Sequence, residues 1–288
     1  MRIARHYQVS DFFIGAAILA VGSDLPELVV SFDAALRQLS GQNTANLIVG
    51  NALGSLFGQF GLVMGLAGLI GHLAMTRLQV LRHGGVLIGA TLALFLVSLD
   101  GVVNRYEGIG LIAAFIAYMI FLFGEERLVL MSRKTRDSGV LQIWLRLALG
   151  LGVVAVSAEL IVRTAMALAE QWQVDQSFIG IAIIGVGTSL PELIISVAAI
   201  IRARVGLSVG NLVGSNILDT LLPIGIAAAV VPIGFARSLL VFDLPVLLAL
   251  TCLALLFLYL RWGIQRPQAL CLILCYFAYL YSKVQLVS

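Results

Sequence analysis

The sequence predicts an all-α membrane protein built on an inverted-topology repeat of transmembrane helices, and three observations predict it. The chain of 288 residues is 60% hydrophobic and only 11% charged, with a mean hydropathy of +1.04, whereas a soluble domain carries about a quarter charged residues. Its apolar residues fall into runs near the ~20 needed to cross a bilayer. A short stretch, GSDLPELVVS at 22–31, also returns as GTSLPELIIS at 187–196.

Taken in order, nine spans are expected, at roughly 12–37, 45–71, 84–101, 107–124, 142–168, 177–202, 206–231, 238–260 and 267–284. The one sizeable polar connection is EERLVLMSRKTRDSG at 125–139. It divides the chain into a first half of four spans (1–124), a loop (125–141) and a second half of five spans (142–288). Basic residues orient the spans. Arg2, Arg5, Arg77, Arg82, Arg127, Arg133, Lys134, Arg136, Arg202, Arg204, Arg261 and Arg266 lie on one side, and Arg37, Arg105, Arg237 and Lys283 on the other. The N-terminus and the loop are therefore expected in the cytoplasm and the C-terminus outside, with no cleavable leader. The net charge of +3 is small and its residues lie between apolar runs, so nucleic acid is not an expected partner. Cys252, Cys271 and Cys275 lack metal-site spacing and are expected to pack as small apolar residues.

The repeat has two blocks. VSDFFIGAAILAVGSDLPELVVSFDAALR from Val9 aligns with VDQSFIGIAIIGVGTSLPELIISVAAIIR from Val174, an offset of 165. VGNALGSLFGQFGLVMGLAGLI from Val49 aligns with VGNLVGSNILDTLLPIGIAAAV from Val209, an offset of 160. The two LPE spans are the first and the sixth, an odd step of five, so the copies enter the membrane from opposite sides, as in many secondary transporters. The first copy begins at ARHYQVSD, which matches AEQWQVDQ just after the 142–168 span. A counterpart of that span is thus expected to be missing from the first half, through an upstream start or a nine-helix variant.

Glu27 and Glu192 lie near mid-span, as do Gln59 and Asp219 in the partner helices. A charge at that depth costs at least ~3 kcal/mol on insertion scales, so such residues pair with one another or hold ions. Each has a hydroxyl four residues before it on the same helix face: Ser23, Thr188, Ser55 and Ser215 respectively for Glu27, Glu192, Gln59 and Asp219. Pro26 and Pro191 cannot donate a hydrogen bond to the carbonyls of Gly22 and Gly187, which loosens both helices there. The resulting donor set is all oxygen and suits hard cations such as Ca2+, Mg2+ or Na+ rather than zinc or copper. Gly50 with Gly54, and Gly210 with Gly214, form small-residue patterns that allow close helix approach. Asp243 and its repeat counterpart His83 stand at span starts, where interfacial solvation is expected.

GSDLPE with GNALGSLFGQ, and GTSLPE with GNLVGSNILD, resemble the two alpha-repeats of bacterial-type sodium/calcium exchangers, in the calcium:cation antiporter superfamily. The resemblance covers nearly the whole chain. It implies a fold of two inverted five-helix halves, exchange of Na+ for Ca2+ by alternating access, residence in a bacterial inner membrane, and no cofactor beyond the transported ions. It further implies that Glu27 and Glu192 are the central calcium ligands and that Ser23 and Thr188 are their hydroxyl and carbonyl companions. Asp219 would complete the second repeat, and Ser55 and Ser215 would line neighbouring sodium sites. The chain also departs from the family. Asp24 stands where the family usually has serine, as Ser189 does in the second copy; Leu56 stands opposite Asn216, and Gln59 replaces the usual asparagine. Asp24, Glu27, Glu192 and Asp219 exceed the charge of one Ca2+ by two, so Asp24 is expected to carry a proton or an additional cation.

Three other functions compete with this one. Ca2+/H+ exchange is the nearest, but the proton-coupled branch typically has glutamate where Gly54 and Gly214 stand. An intramembrane hydrolase would need an aspartyl dyad or a Ser/His arrangement at depth, and His6, His72 and His83 all fall near span ends. A non-transporting subunit would follow if the absent helix impaired alternating access. An enzyme is therefore not expected.

Overall fold

The structure, a computed structural model, describes residues 9–42, 44–130, 140–171, 187, 189–260 and 263–287. Helices dominate because a bilayer core supplies no water to backbone N–H and C=O groups, and a helix satisfies them internally. The elements are α1 (Asp11–Ser23), α2 (Leu25–Leu39), α3 (Ala45–Ile70), α4 (Arg77–Val97), α5 (Arg105–Leu130), α6 (Val140–Gln171), α7 (Leu190–Ile201), α8 (Val205–Val230), α9 (Leu239–Tyr259) and α10 (Arg266–Val287). Among the described residues six helices are long and apolar enough to cross a membrane, and the bent pair α1–α2 makes a seventh span. Residues 177–186, the first part of the expected sixth span, lie outside the described residues.

Burial sorts these helices into a centre and a rim. In α3 and α8, 72% and 78% of the most apolar stretch is buried, against 39%, 28%, 39% and 22% in α4, α5, α9 and α10. The small residues of α3 and α8 explain this, since glycine and alanine let neighbouring backbones come close. A Cβ at Gly210 would run into the Phe12 carbonyl of α1, and one at Gly214 would sit 2.6 Å from Ala16 Cα. Gly50 differs: among the described residues nothing lies within 4 Å of its Cβ position. The expected close approach thus holds for α8; at Gly50 the described residues do not test it, because 172–186, the repeat counterpart of α1, lie outside them.

The chain breaks where the first Leu-Pro-Glu motif predicts, and at the second a helix begins in the same way. α1 and α2 meet at a bend of 42°. Asp24, at the joint, has φ −85° and ψ 1°; Ser189, just before α7, has φ −88° and ψ 4°. Pro26 and Pro191 each occupy the second residue of the new helix, where a proline has no N–H to leave unpaired and its fixed φ suits a first turn. Each helix then restarts on the joint residue: Leu28 N–H donates to Asp24 O at 3.2 Å and Leu193 N–H to Ser189 O at 3.1 Å.

The ends of these helices are tied to distant segments. Ser10 caps α1 by accepting from Phe13 N–H, and its own N–H and hydroxyl donate to Glu126. Asp11 favours the positive helix start and pairs with Arg204 at 2.9 Å. Val102–Val103 pairs antiparallel with Ile233–Gly234, and Leu73 bridges to Ile264. α4 begins earlier than the hydropathy of its span suggests, at Arg77 rather than near 84. Thr76 and Gln79 close a capping box that starts the helix ahead of its apolar run.

Candidate cation site

The two breaks and the middles of α3 and α8 come together in the buried centre. Asp24, Glu27, Ser55, Gln59, Glu192, Ser215 and Asp219 are all 0% exposed there, with Ser23 and Ser189 also buried. The partners cross between the halves. Asp219 Oδ2, from α8, accepts from Ser55 Oγ at 2.5 Å and Gln59 Nε2 at 2.8 Å, both from α3. In the reciprocal direction, Ser215 of α8 donates to Asp24 Oδ1 at 3.0 Å. Ser189, the counterpart of Asp24, donates to the backbone carbonyl of Ser55 at 3.3 Å. Gln59 Nε2 also lies 3.2 Å from Ser55 Oγ, which realises the expected i, i+4 pairing on α3. On α1 the pairing is different: Ser23 Oγ lies 2.9 Å from Leu19 O and 3.3 Å from Asp24 Oδ1, so its proton serves the helix backbone or Asp24. Thr188 lies outside the described residues.

Four carboxylates in one dry neighbourhood require compensation. Glu27 is an electrostatic neighbour of Glu192 and Asp219, and Asp24 of all three other acids. No salt bridge among the described residues reaches any of them. Both carboxylate oxygens of Glu27 and of Glu192, Asp24 Oδ2, Asp219 Oδ1, Gln59 Oε1 and Asn216 Oδ1 have no hydrogen-bond partner among the described residues. A buried polar atom left without a partner costs about 1–3 kcal/mol, and a charged one more. Oxygen atoms in this state suit a cation that supplies the missing charge, with no His or Cys ligand. Among the described residues no three acids converge tightly enough to hold one ion by themselves. The acids therefore fit a chain of subsites completed by hydroxyl, amide and backbone oxygens better than a single carboxylate cage.

The breaks are buttressed as well as broken. A Cβ at Gly22 would collide with Leu151 of α6, so glycine lets α6 lie against the end of α1. Gly187 and Pro191 are buried and Pro26 is half-buried. A second ring of polar residues, missed as functional in the sequence, holds the first. Asn51 Nδ2 lies 3.4 Å from the backbone carbonyl of Glu27 and 3.3 Å from Ser31 Oγ; Asn211 Nδ2 lies 3.3 Å from Ser196 Oγ. The signal was present, because both LPE motifs end in serine and both second blocks begin Gly-Asn.

Asp243 and His83 correct the expectation of interfacial solvation, being 1% and 2% exposed. Asp243 accepts from Tyr279 at 2.7 Å and pairs with Lys283 at 2.6 Å. His83 lies against the Phe12 ring, with ring centres 4.4 Å apart, and has Glu125 at 3.4 Å and the Tyr118 hydroxyl at 3.5 Å from its two nitrogens. Each is buried because a helix distant in sequence brings a polar partner to it.

Comparison with known proteins agrees with this architecture. A family model described as sodium/calcium exchanger protein matches residues 1–124 and 142–285. The putative antiporter CaxA of Alkalimonas amylolytica is 31% identical over 292 aligned residues, covering 97% of this chain and 90% of that protein. The sodium/calcium exchanger MaX1 of Methanosarcina acetivorans is 26% identical, with 96% and 90% covered. A solved structure of the sodium-calcium exchanger NCX_Mj, soaked with Na+ and Sr2+, superposes with a TM-score of 0.83 at 29% identity, covering 98% of this chain and 90% of that one. The chain is a membrane transporter and not an enzyme, and it belongs to the sodium/calcium exchanger family of antiporters.

Proposed function

We propose that this protein exchanges Ca2+ for Na+ across a bacterial inner membrane by alternating access, with the two Leu-Pro-Glu breaks as the two halves of its ion path. Glu27 and Glu192 are the central ligands, Asp219 the third acid, and Ser23, Thr188, Ser55, Ser215, Ser189 and Gln59 the uncharged oxygen donors. Asp24 is the additional carboxylate. The single observation that carries this reading is the set of carboxylate oxygens buried at the centre without a partner among the described residues. Cations are the cargo that such a donor set accepts, and oxygen ligands of mixed charge suit both Ca2+ and Na+.

Nine spans in two inverted halves, 1–124 and 142–288, joined by a cytoplasmic segment and ending outside, accommodate this mechanism. Two features support the inversion. The joint residues Asp24 and Ser189 share one backbone conformation. The pairings Leu73 with Ile264 and Ile233 with Val103 also recur at offsets of 160 and 161 residues. Asp24 favours a second reading, exchange of Ca2+ for H+, because its excess charge needs a further cation or a proton.

Ca2+ uptake into proteoliposomes under imposed Na+, K+ or H+ gradients separates the readings. Uptake driven by Na+ alone supports the first, and uptake driven only by a proton gradient replaces it with the second.

A further inference from the structure

Ser208, Asn211, Ser215 and Asp219 follow one another along α8 at steps of three, four and four residues. At 3.6 residues per turn they fall within about 80° of one another, so they form one row from the first turn of the helix to the cation site. All four are 0% exposed. One turn before Ser208 stands Arg204, whose pair with Asp11 is half-buried. α8 packs against both α1 and α7, and the row takes partners from each. Ser215 donates to Asp24 of α1, and Asn211 Nδ2 lies 3.3 Å from the buried Ser196 Oγ, four residues after Glu192 on α7. Much of the row is unsatisfied: Ser208 Oγ, Asn211 Oδ1 and Asp219 Oδ1 have no hydrogen-bond partner among the described residues. Three of the four positions are polar in the other half too, as Asn51, Ser55 and Gln59, but the counterpart of Ser208 is Ile48, equally buried. α3 keeps its place beside α2 with isoleucine at that point, so packing does not require a hydroxyl there. A buried hydroxyl without a partner costs stability, and polar residues inside a span mark ion paths.

We propose that this row is the route by which cations pass between the cation site and the membrane face where α8 begins, with Ser208 supplying its outermost buried oxygen. The proposal rests on the reading of Glu192 and Asp219 as cation ligands. In alternating access a route is shut in one state and hydrated in the other. The oxygens orphaned here in the shut state take water or a cation when the route opens. Neutral oxygens about one helical turn apart let a cation change partners stepwise without crossing a bare apolar stretch. Ser208 therefore acts on the rate of passage and not on the affinity of the site.

Two measurements on the full chain test this. Ser208→Cys and, at the same depth but off the row, Val209→Cys are made with Cys252, Cys271 and Cys275 replaced by alanine. Proteoliposomes under a Na+ gradient with Ca2+ present are treated on one side with a cationic, membrane-impermeant thiol reagent. Ser208→Cys is expected to react from the face where α8 begins, roughly tenfold faster than Val209→Cys or than itself from the other face. An unreactive Ser208→Cys, or equal rates at the two positions, overturns the route. The second measurement compares Ser208→Thr with Ser208→Val, which have the same shape and differ in the hydroxyl. Thr is expected to exchange Ca2+ within about twofold of the parent and Val roughly tenfold more slowly, with equilibrium Ca2+ binding alike in both. Equal exchange rates in the two, or a loss in Val that lies wholly in equilibrium binding, overturns the role of Ser208. Exchange by the parent with an unreactive Ser208→Cys refutes the route alone, whereas a parent that exchanges no Ca2+ under any gradient refutes the functional reading.

Discussion

GNALGS in α3 and GNLVGS in α8 carry the same small-residue pattern, yet among the described residues they have different neighbours. On α8, Gly210 and Gly214 are pressed against the backbone of α1, with no room for a side chain. On α3, Gly50 and Gly54 line a cavity beside a buried ion pair. The pattern gives both helices the capacity for close approach, and what lies against each decides whether that capacity is used.

The polar positions sharpen the comparison most. Asp219 in α8 has Gln59 as its counterpart in α3, and it accepts from both Gln59 and Ser55. Asp219→Asn removes a buried charge and is expected to weaken Ca2+ binding by about 2–5 kcal/mol, the range for stripping one partner from a buried charged contact. Gln59→Ala removes neutral hydrogen bonds and is expected to cost only about 0.5–1.5 kcal/mol. Isothermal titration with Ca2+ ranks the two, and equal losses would contradict a charge carried by Asp219 and not matched by its counterpart Gln59.

A smaller effect separates the glycines. Gly214→Val drives a side chain into Ala16 of α1 and is expected to destabilise the protein by about 1–3 kcal/mol. Gly50→Ala, in a helix and with nothing among the described residues within 4 Å of its Cβ position, is expected to be neutral, or to stabilise by about 0.5–1 kcal/mol. Thermal melts in detergent distinguish them, and a matching loss at both sites would mean that α3 is packed as α8 is. The smallest difference is expected between Asn51→Ala and Asn211→Ala. Each removes a mirrored hydrogen bond to a serine, so their costs should agree within about 0.5 kcal/mol. A large gap in their melting curves would show that the two halves are not held alike.

Much of this could be read from sequence because its causes are local. A proline two residues into a helix forces the break at Asp24 and Ser189 wherever the chain goes next. The buried hydroxyls and acids were legible through their duplicated i, i+4 spacing. Other features have distant causes. Asp243 looks like an interfacial acid until α10 brings Tyr279 and Lys283, 36 and 40 residues on, to its two oxygens. His83 looks interfacial for the same reason, since Glu125 and Tyr118 arrive from α5. The early start of α4 is a different kind of miss. Thr76 and Gln79 are a local signal, but hydropathy reports where a helix becomes apolar and not where it begins. Whether a glycine face is covered is a tertiary fact with no local signature at all.

Glu27 and Glu192, as shared cation ligands, are central to the proposed exchange. Uptake of radiolabelled Ca2+ into Na+-loaded proteoliposomes, comparing the parent protein with Glu27→Gln and Glu192→Gln, tests this most directly. The expected result is Na+-dependent uptake by the parent and a loss of roughly a hundredfold or more in each variant, as removal of a buried charged ligand implies. Full exchange by either variant would contradict the account.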